Sequence, residues 1–302
     1  MPPLGSIVHV DAAAGFWLLL LALSTVAYVV WLFKTSDYDF EESLLYAPTY
    51  FFGRLLWRVQ FLNAPPVALR RGGAVLVANH RSSVDPFFIQ LAAKRRVHWM
   101  VAREYCEHGA TAPILRLCQV IPTNRSGMDN AATKTAIRLV RSGRLIGMFP
   151  EGQLNHTLQP LLPVRSGAAL VALRAGVPII PIWLSGSPYR REVWSPLTMS
   201  ANVKISFGEP IFTELAPSVE QSMDLAGENA QAGLSNEVVD DTTLESSTVA
   251  SRVDRKGDLI RAEQLILEWA RRGLALGGYA NFPVKIAGRS RLEKVEKCKT
   301  ET

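Results

Sequence analysis

Residues 12–33 (AAAGFWLLLLALSTVAYVVWLF) run for 22 positions without a charge, and no other stretch restricts the fold so sharply. As a helix rising about 1.5 Å per residue they reach roughly 33 Å, enough to cross a hydrocarbon core of about 30 Å. Trp17, Tyr28 and Trp31 lie towards the ends, where amphipathic rings settle at the lipid–water boundary. A cleaved leader fits less well. There is no basic n-region, the apolar run is long, and no small-x-small site precedes Lys34. The segment therefore reads as a membrane anchor behind a short tail, residues 1–11. Lys34, Arg54 and Arg58 follow it and no Lys or Arg precedes it, so the positive-inside rule places the body on the cytoplasmic side.

Residues 34–66 form a membrane-proximal amphipathic segment rich in Leu, Phe, Tyr and Trp, with Arg54 and Arg58 one helical turn apart. A helix lying in the lipid interface and a helix packed on the following domain would share this pattern, and both readings stay open. Beyond Pro65-Pro66 the pattern alternates between strand and helix. Strands are expected at 74–78, 97–102, 119–122, 145–149, 179–184 and 203–207, with helices at 86–94, 129–141 and 166–174. Such alternation predicts an α/β fold, a mostly parallel central sheet flanked by helices, with functional groups at the carboxyl ends of strands.

Charge is unevenly distributed. Residues 213–250 carry eight Asp/Glu and no Lys or Arg, which leaves +14 on the remainder of a chain whose net charge is +6. Residues 214–250 also lack aromatics and any sustained period, and read as an acidic, disordered insert. Helical spacing resumes at Leu259, Ile260, Leu265, Ile266 and Trp269, and a charged tail occupies 286–302. A pI near 9.3 favours anionic partners, but no recognition motif or basic–aromatic platform points to nucleic acid. Cys106, Cys118 and Cys298 make an odd count with no CxxC, so neither a disulfide framework nor a metal site is indicated. A reducing compartment fits that usage.

Chemistry is concentrated in the turns after strands. Asn79-His80-Arg81-Ser82-Ser83-Val84-Asp85-Pro86 places a histidine behind the first long strand and an aspartate five residues on. On a continuous helix those side chains would diverge by about 140°. They meet only if His80 lies in the turn and Asp85 in the first turn of a helix, where Pro86 is favoured. Asp85 would then fix the imidazole tautomer and leave the other nitrogen to act as a base. The same residues would serve equally as a helix cap. Phe149-Pro150-Glu151-Gly152 follows another strand, with Gly152 suited to a left-handed turn that presents Glu151 at the sheet's mouth. Ile121-Pro122-Thr123-Asn124-Arg125 puts a guanidinium beyond a third strand, and Val177-Pro178-Ile179-Ile180-Pro181-Ile182 is a wall strand bracketed by prolines.

The order and spacing of these blocks resemble the glycerolipid acyltransferase family, 1-acylglycerol-3-phosphate acyltransferase-like, with its histidine-x4-aspartate motif. Gly167-Ala168-Ala169 leading into Ala175-Gly176-Val177-Pro178 resembles the family's run between its last two blocks. The resemblance spans about residues 70–212 and implies an acyltransferase domain at 67–213 and 251–285. It implies His80 as general base and Asp85 as its orienting partner, with Arg125, Glu151 and Gly152 binding the acceptor. It also implies a lysophospholipid acceptor within membrane lipid, acyl-CoA or acyl-carrier protein as co-substrate, and no cofactor or metal. An amide at the helix start after Asp85 is then the expected oxyanion donor. One departure stands out. Where the family continues with Thr-Arg-Ser, this chain has Gln153-Leu154-Asn155-His156, and a basic residue expected near the acceptor phosphate is missing. Another lysolipid, such as lyso-ornithine lipid, and a catalytically silent lipid-binding protein are the alternatives. A metallohydrolase on His80 and Asp85 finds no ligand spacing at His98, His108 or His156.

Overall fold

A computed structural model describes residues 12–36, 38–124, 129–190, 194–213 and 242–287. Two helices come first, α1 (Ala12–Thr35) and α2 (Phe40–Leu55). The alternating body follows: β1 (Gln60–Phe61), β2 (Ala74–Ala78), α3 (Asp85–Ala93), β3 (Val97–Ala102), α4 (Arg103–Glu107), α5 (Ala112–Leu117) and β4 (Ile121–Thr123). Its second half contains α6 (Asn130–Arg141), β5 (Leu145–Met148), α7 (Gly167–Ala175), β6 (Ile179–Ser185), β7 (Lys204–Phe207) and α8 (Thr242–Leu276).

The seven strands form one sheet in the order β1-β7-β6-β2-β5-β3-β4. β2 runs parallel to both neighbours, with Val75 opposite Ile146 on one side and Ile179 on the other. All five of its residues are buried, as expected of a strand covered on both faces. Its side chains alternate between two cores. Val75 and Val77 join α6, α7 and α8 through Ala136, Val171 and Trp269. Ala74, Leu76 and Ala78 join Phe88 and Ile89 of α3 and Trp57. β7 is the exception to the parallel order, running antiparallel to β6. Residues 186–203 contain only a short 3₁₀ turn among those described, not the crossover helix a parallel return requires.

The expected strands and helices of the body appear within a residue or two, but β1, α4 and α5 were not anticipated. Each is six residues or fewer, too short for a readable period. The start of α8 corrects the boundary of the acidic insert. Helix begins at Thr242, so residues 242–250 are helical rather than disordered. They hold no Pro or Gly and extend an existing helix, which is far easier than nucleating one. Residues 214–241 lie outside the described residues, as does all but the first two of the tail at 286–302.

The α2 helix packs on the following domain, one of the two readings of its sequence. Asp39 caps it and Glu42 returns the bond, forming a capping box. One face packs through Tyr46, Ala47 and Tyr50 against Val29 and Leu32 of α1 and Leu91 of α3. Arg96 pairs with Glu42 at 2.7 Å and ties the helix to the domain. The opposite face leaves Phe40, Leu44, Phe51 and Leu55 exposed. Ala13–Thr35 is long and apolar enough to cross a membrane, and most of its surface is uncovered by the protein.

Candidate active site

The carboxyl ends of β2 and β5 lie side by side, and each opens into one of the sequence-marked turns. Beyond β2, the Asn79 side chain exchanges two hydrogen bonds with the Leu184 backbone, 2.8 and 3.0 Å, and holds that end to β6. His80 follows in the turn. Its Nδ1 lies 3.1 Å from Oδ2 of Asp85, the first residue of α3. The same oxygen accepts from the amides of Arg81 and Ser82, both at 2.7 Å. A carboxylate can only accept, so Nδ1 carries the proton and Nε2 is the nitrogen with a lone pair to offer. Asp85 is fully buried, and among the described residues its hydrogen bonds all run through Oδ2.

The imidazole is also held from its face. Phe149 stacks on His80 at 3.8 Å between centroids and 9° between planes, and Trp99 stacks on Phe149 at 4.8 Å. Gly147 makes room for that Trp99. A Cβ there would come within 2.5 Å of the indole.

Glu151 departs from its sequence reading. It is not presented at the mouth of the sheet but is turned inward, only 4% exposed. Oε1 accepts from the His80 amide at 2.8 Å and Oε2 from the Leu162 amide at 2.9 Å. Burial pushes its carboxyl up to about 7, against the opposing pull of those two amides and of the Arg81 guanidinium. Glu151 therefore clamps the His80 turn to the segment that closes over it. The backbone of Gly152 is left-handed, φ +70°, as the turn requires, and this residue does line the cavity. Arg125 lies outside the described residues.

Several contributors carried no signal in the motif blocks. The buried Asn155 donates its amide to the His80 carbonyl at 2.7 Å, and Arg81 binds the Thr157 and Gln159 carbonyls at 2.9 and 2.7 Å. Residues 155–159 thus strap the histidine turn from outside. Their polar composition reads as an ordinary loop, so only the fold reveals the strap. The expected oxyanion donor is also corrected. The amides of Asp85 and Phe87 are taken by the Ser82 and Val84 carbonyls, and Pro86 has none.

His80 and Gly152 open on a cavity of about 630 Å³. Its walls are mostly apolar: Trp99, Met100, Ile114, Leu115, Leu170, Trp194, Leu197 and Leu259. That volume and lining suit a long apolar group with a few polar fixing points.

Residues 60–185 match the family model described as Acyltransferase. The 1-acyl-sn-glycerol-3-phosphate acyltransferase of Bacillus subtilis is 24% identical over 46% of this chain and 67% of its own length. That of Streptococcus pneumoniae is 27% identical, over 52% and 58%. The human beta form is 32% identical, over 36% and 40%. The chain thus spans between 40% and 67% of the length of these relatives. Among solved structures, the 1-acyl-sn-glycerophosphate (LPA) acyltransferase PlsC of Thermotoga maritima covers 73% of this chain and 95% of its own, with a TM-score of 0.47 and 18% identity. Residues 60–185 are thus similar to acyltransferase domains, and this segment carries the oriented imidazole above the apolar cavity.

Proposed function

We propose that the chain is a membrane-anchored enzyme that transfers a fatty acyl group from acyl-CoA or acyl-carrier protein to the free hydroxyl of 1-acylglycerol-3-phosphate. The observation that carries this reading is the 3.1 Å contact between His80 Nδ1 and Asp85 at the rim of the apolar cavity. With Nδ1 protonated, Nε2 takes the proton of the acceptor hydroxyl as its oxygen attacks the thioester carbonyl. The new C–O bond forms, the tetrahedral intermediate collapses with loss of the C–S bond, and the proton passes from His80 to the departing thiolate. Products are the diacylated phosphate and a free thiol.

His80 is the catalytic base, and Asp85 orients it through Oδ2. Gly152 forms the acceptor-side lip, whereas Glu151 acts as a positioning residue because both its oxygens are engaged. Arg125 retains the acceptor-binding role that its block implies. The apolar walls receive the acyl chain. The length and apolar surface of α1 and the exposed face of α2 support a site beside a bilayer, and the basic residues after α1 support the cytoplasmic side.

Purified protein in phospholipid vesicles, given labelled acyl-CoA or acyl-carrier protein and a panel of lysolipids, tests the reading. Transfer to 1-acylglycerol-3-phosphate is expected to exceed transfer to the others. Folded protein that acylates another lysolipid instead would reassign the acceptor. No transfer from either donor to any hydroxyl would overturn the proposal.

A further inference from the structure

The motif after Gly152 lacks the basic residue expected beside an acceptor phosphate, yet a guanidinium is delivered to that place from elsewhere in the chain. We infer that Arg165 binds the phosphate of the acyl acceptor and selects phosphorylated over uncharged glycerolipids. This rests on the proposed acyltransferase reading and names a residue that none of the motif blocks contains.

The Arg165 side chain crosses the face of the Gly152 turn. A Cβ at Gly152 would lie 3.1 Å from its Nε and 3.3 Å from its Cζ. A side chain there would crowd the guanidinium, so glycine serves the turn through its left-handed backbone and leaves room for Arg165.

The backbone of Arg165 is held from both sides. Its amide donates to the Pro150 carbonyl at 2.9 Å. The preceding Val164 is fully buried and bridges to Ile286, and α7 starts just after it at Gly167. Arg165 therefore rides on the same Pro150–Gly152 turn whose Glu151 holds the His80 amide at 2.8 Å. Base and guanidinium flank one tight turn, and only a short glycerol arm separates the reacting hydroxyl of the acceptor from its phosphate.

Charge supports the same assignment. Among the described residues that line the cavity, Arg165 is the only Lys or Arg. The carboxylate that also lines it, Asp129, is occupied by its own helix cap: the Ala132 amide at 3.0 Å and the Asn124 amide at 2.9 Å hold its two oxygens and keep its carboxyl below the usual range. An anion entering this cavity meets a guanidinium whose planar fork suits phosphate oxygens.

The test uses the full chain in vesicles, with wild type, Arg165→Lys and Arg165→Ala compared on 1-acylglycerol-3-phosphate and on 1-monoacylglycerol. For Arg165→Ala, KM for the phosphorylated acceptor should rise about 10- to 100-fold while kcat changes little. KM for monoacylglycerol should stay put, and Arg165→Lys should recover part of the loss. Competition by glycerol 3-phosphate gives a second reading that needs no turnover of the uncharged acceptor. Its inhibition constant should rise by a similar factor in Arg165→Ala. Equal losses on both acceptors, or an unchanged KM and inhibition constant, would overturn the assignment while leaving the acyltransferase reading intact. A wild type that acylates neither acceptor would instead remove the reading on which it stands.

Discussion

The rim of the sheet and the N-terminal helix pair solve opposite problems. At the rim, polar groups are gathered out of water and nearly every one is answered within the chain: Asn79 by Leu184, His80 by Asp85 and Glu151, Arg81 by residues 157–159. In the helix pair, Phe16, Trp17, Leu21, Phe40, Leu44 and Phe51 are left without cover. The first region is rigid because unmet buried polar groups are costly. The second is incomplete as a protein surface, and its exposed apolar side chains have the polarity of a lipid-facing surface. A base must be held still, whereas an anchor needs only a face of the right polarity.

Changes at the rim should break activity or folding, and changes on the outer face of α2 should break neither. The largest effect is expected for His80→Ala. Loss of a positioned base should cost about 10³-fold in kcat/KM, with a thermal midpoint close to wild type, measured by acyl transfer and calorimetry. Survival of more than a tenth of the activity would remove the base from His80. Glu151→Ala should cost roughly 3 kcal/mol of stability, because the His80 and Leu162 amides lose their acceptor in a buried place. Activity should fall with it, and denaturant titration reads the stability loss directly.

A pH series sharpens the same point. The Glu151 carboxyl is raised from its ordinary 4.5 to about 7 by burial. Below the ordinary value both folded and unfolded chains hold the proton. As pH rises the unfolded chain ionises first, so stability is lost up to the folded value, by roughly 3 kcal/mol at most. The thermal midpoint of wild type should therefore fall more steeply between those values than that of Glu151→Gln, and parallel curves would show that Glu151 titrates normally. Gly147→Ala forces a methyl into Trp99 and should cost roughly 2 kcal/mol, with a matching loss of activity as the Trp99–Phe149–His80 stack shifts. The smallest change in stability, within about 0.5 kcal/mol, belongs to Phe51→Ser with Leu55→Ser. That pair should instead weaken vesicle binding of a chain cut after the anchor, measured by flotation. An undiminished bound fraction would make the α2 face irrelevant to lipid.

Legibility followed locality. β2, β3, α3 and α6 were readable because an unbroken apolar run or a clean helical period lies within a few residues. The His80/Asp85 contact was also readable, since a strand, a turn and Pro86 leave the two side chains few ways to avoid each other. Glu151 was misplaced for the converse reason. A Pro-Glu-Gly turn says that the backbone bends, not which way the carboxylate points, and its partners Leu162 and His80 come from other segments. Arg165 could not be found from its neighbours at all, because its relation to Gly152 exists only once Val164 is tucked beside Ile286.

The sequence by itself determined the class of fold, the apolar helix and the pairing of histidine with aspartate. Periodicity, length and steric limits act along the chain and need no distant partner. Only the tertiary structure decided where the charges went: Glu151 inward as a clamp, Asp129 into its helix cap, and Arg165 across to the cavity. The energy of a charge depends on burial and on what faces it, and both are set by segments that meet only after folding.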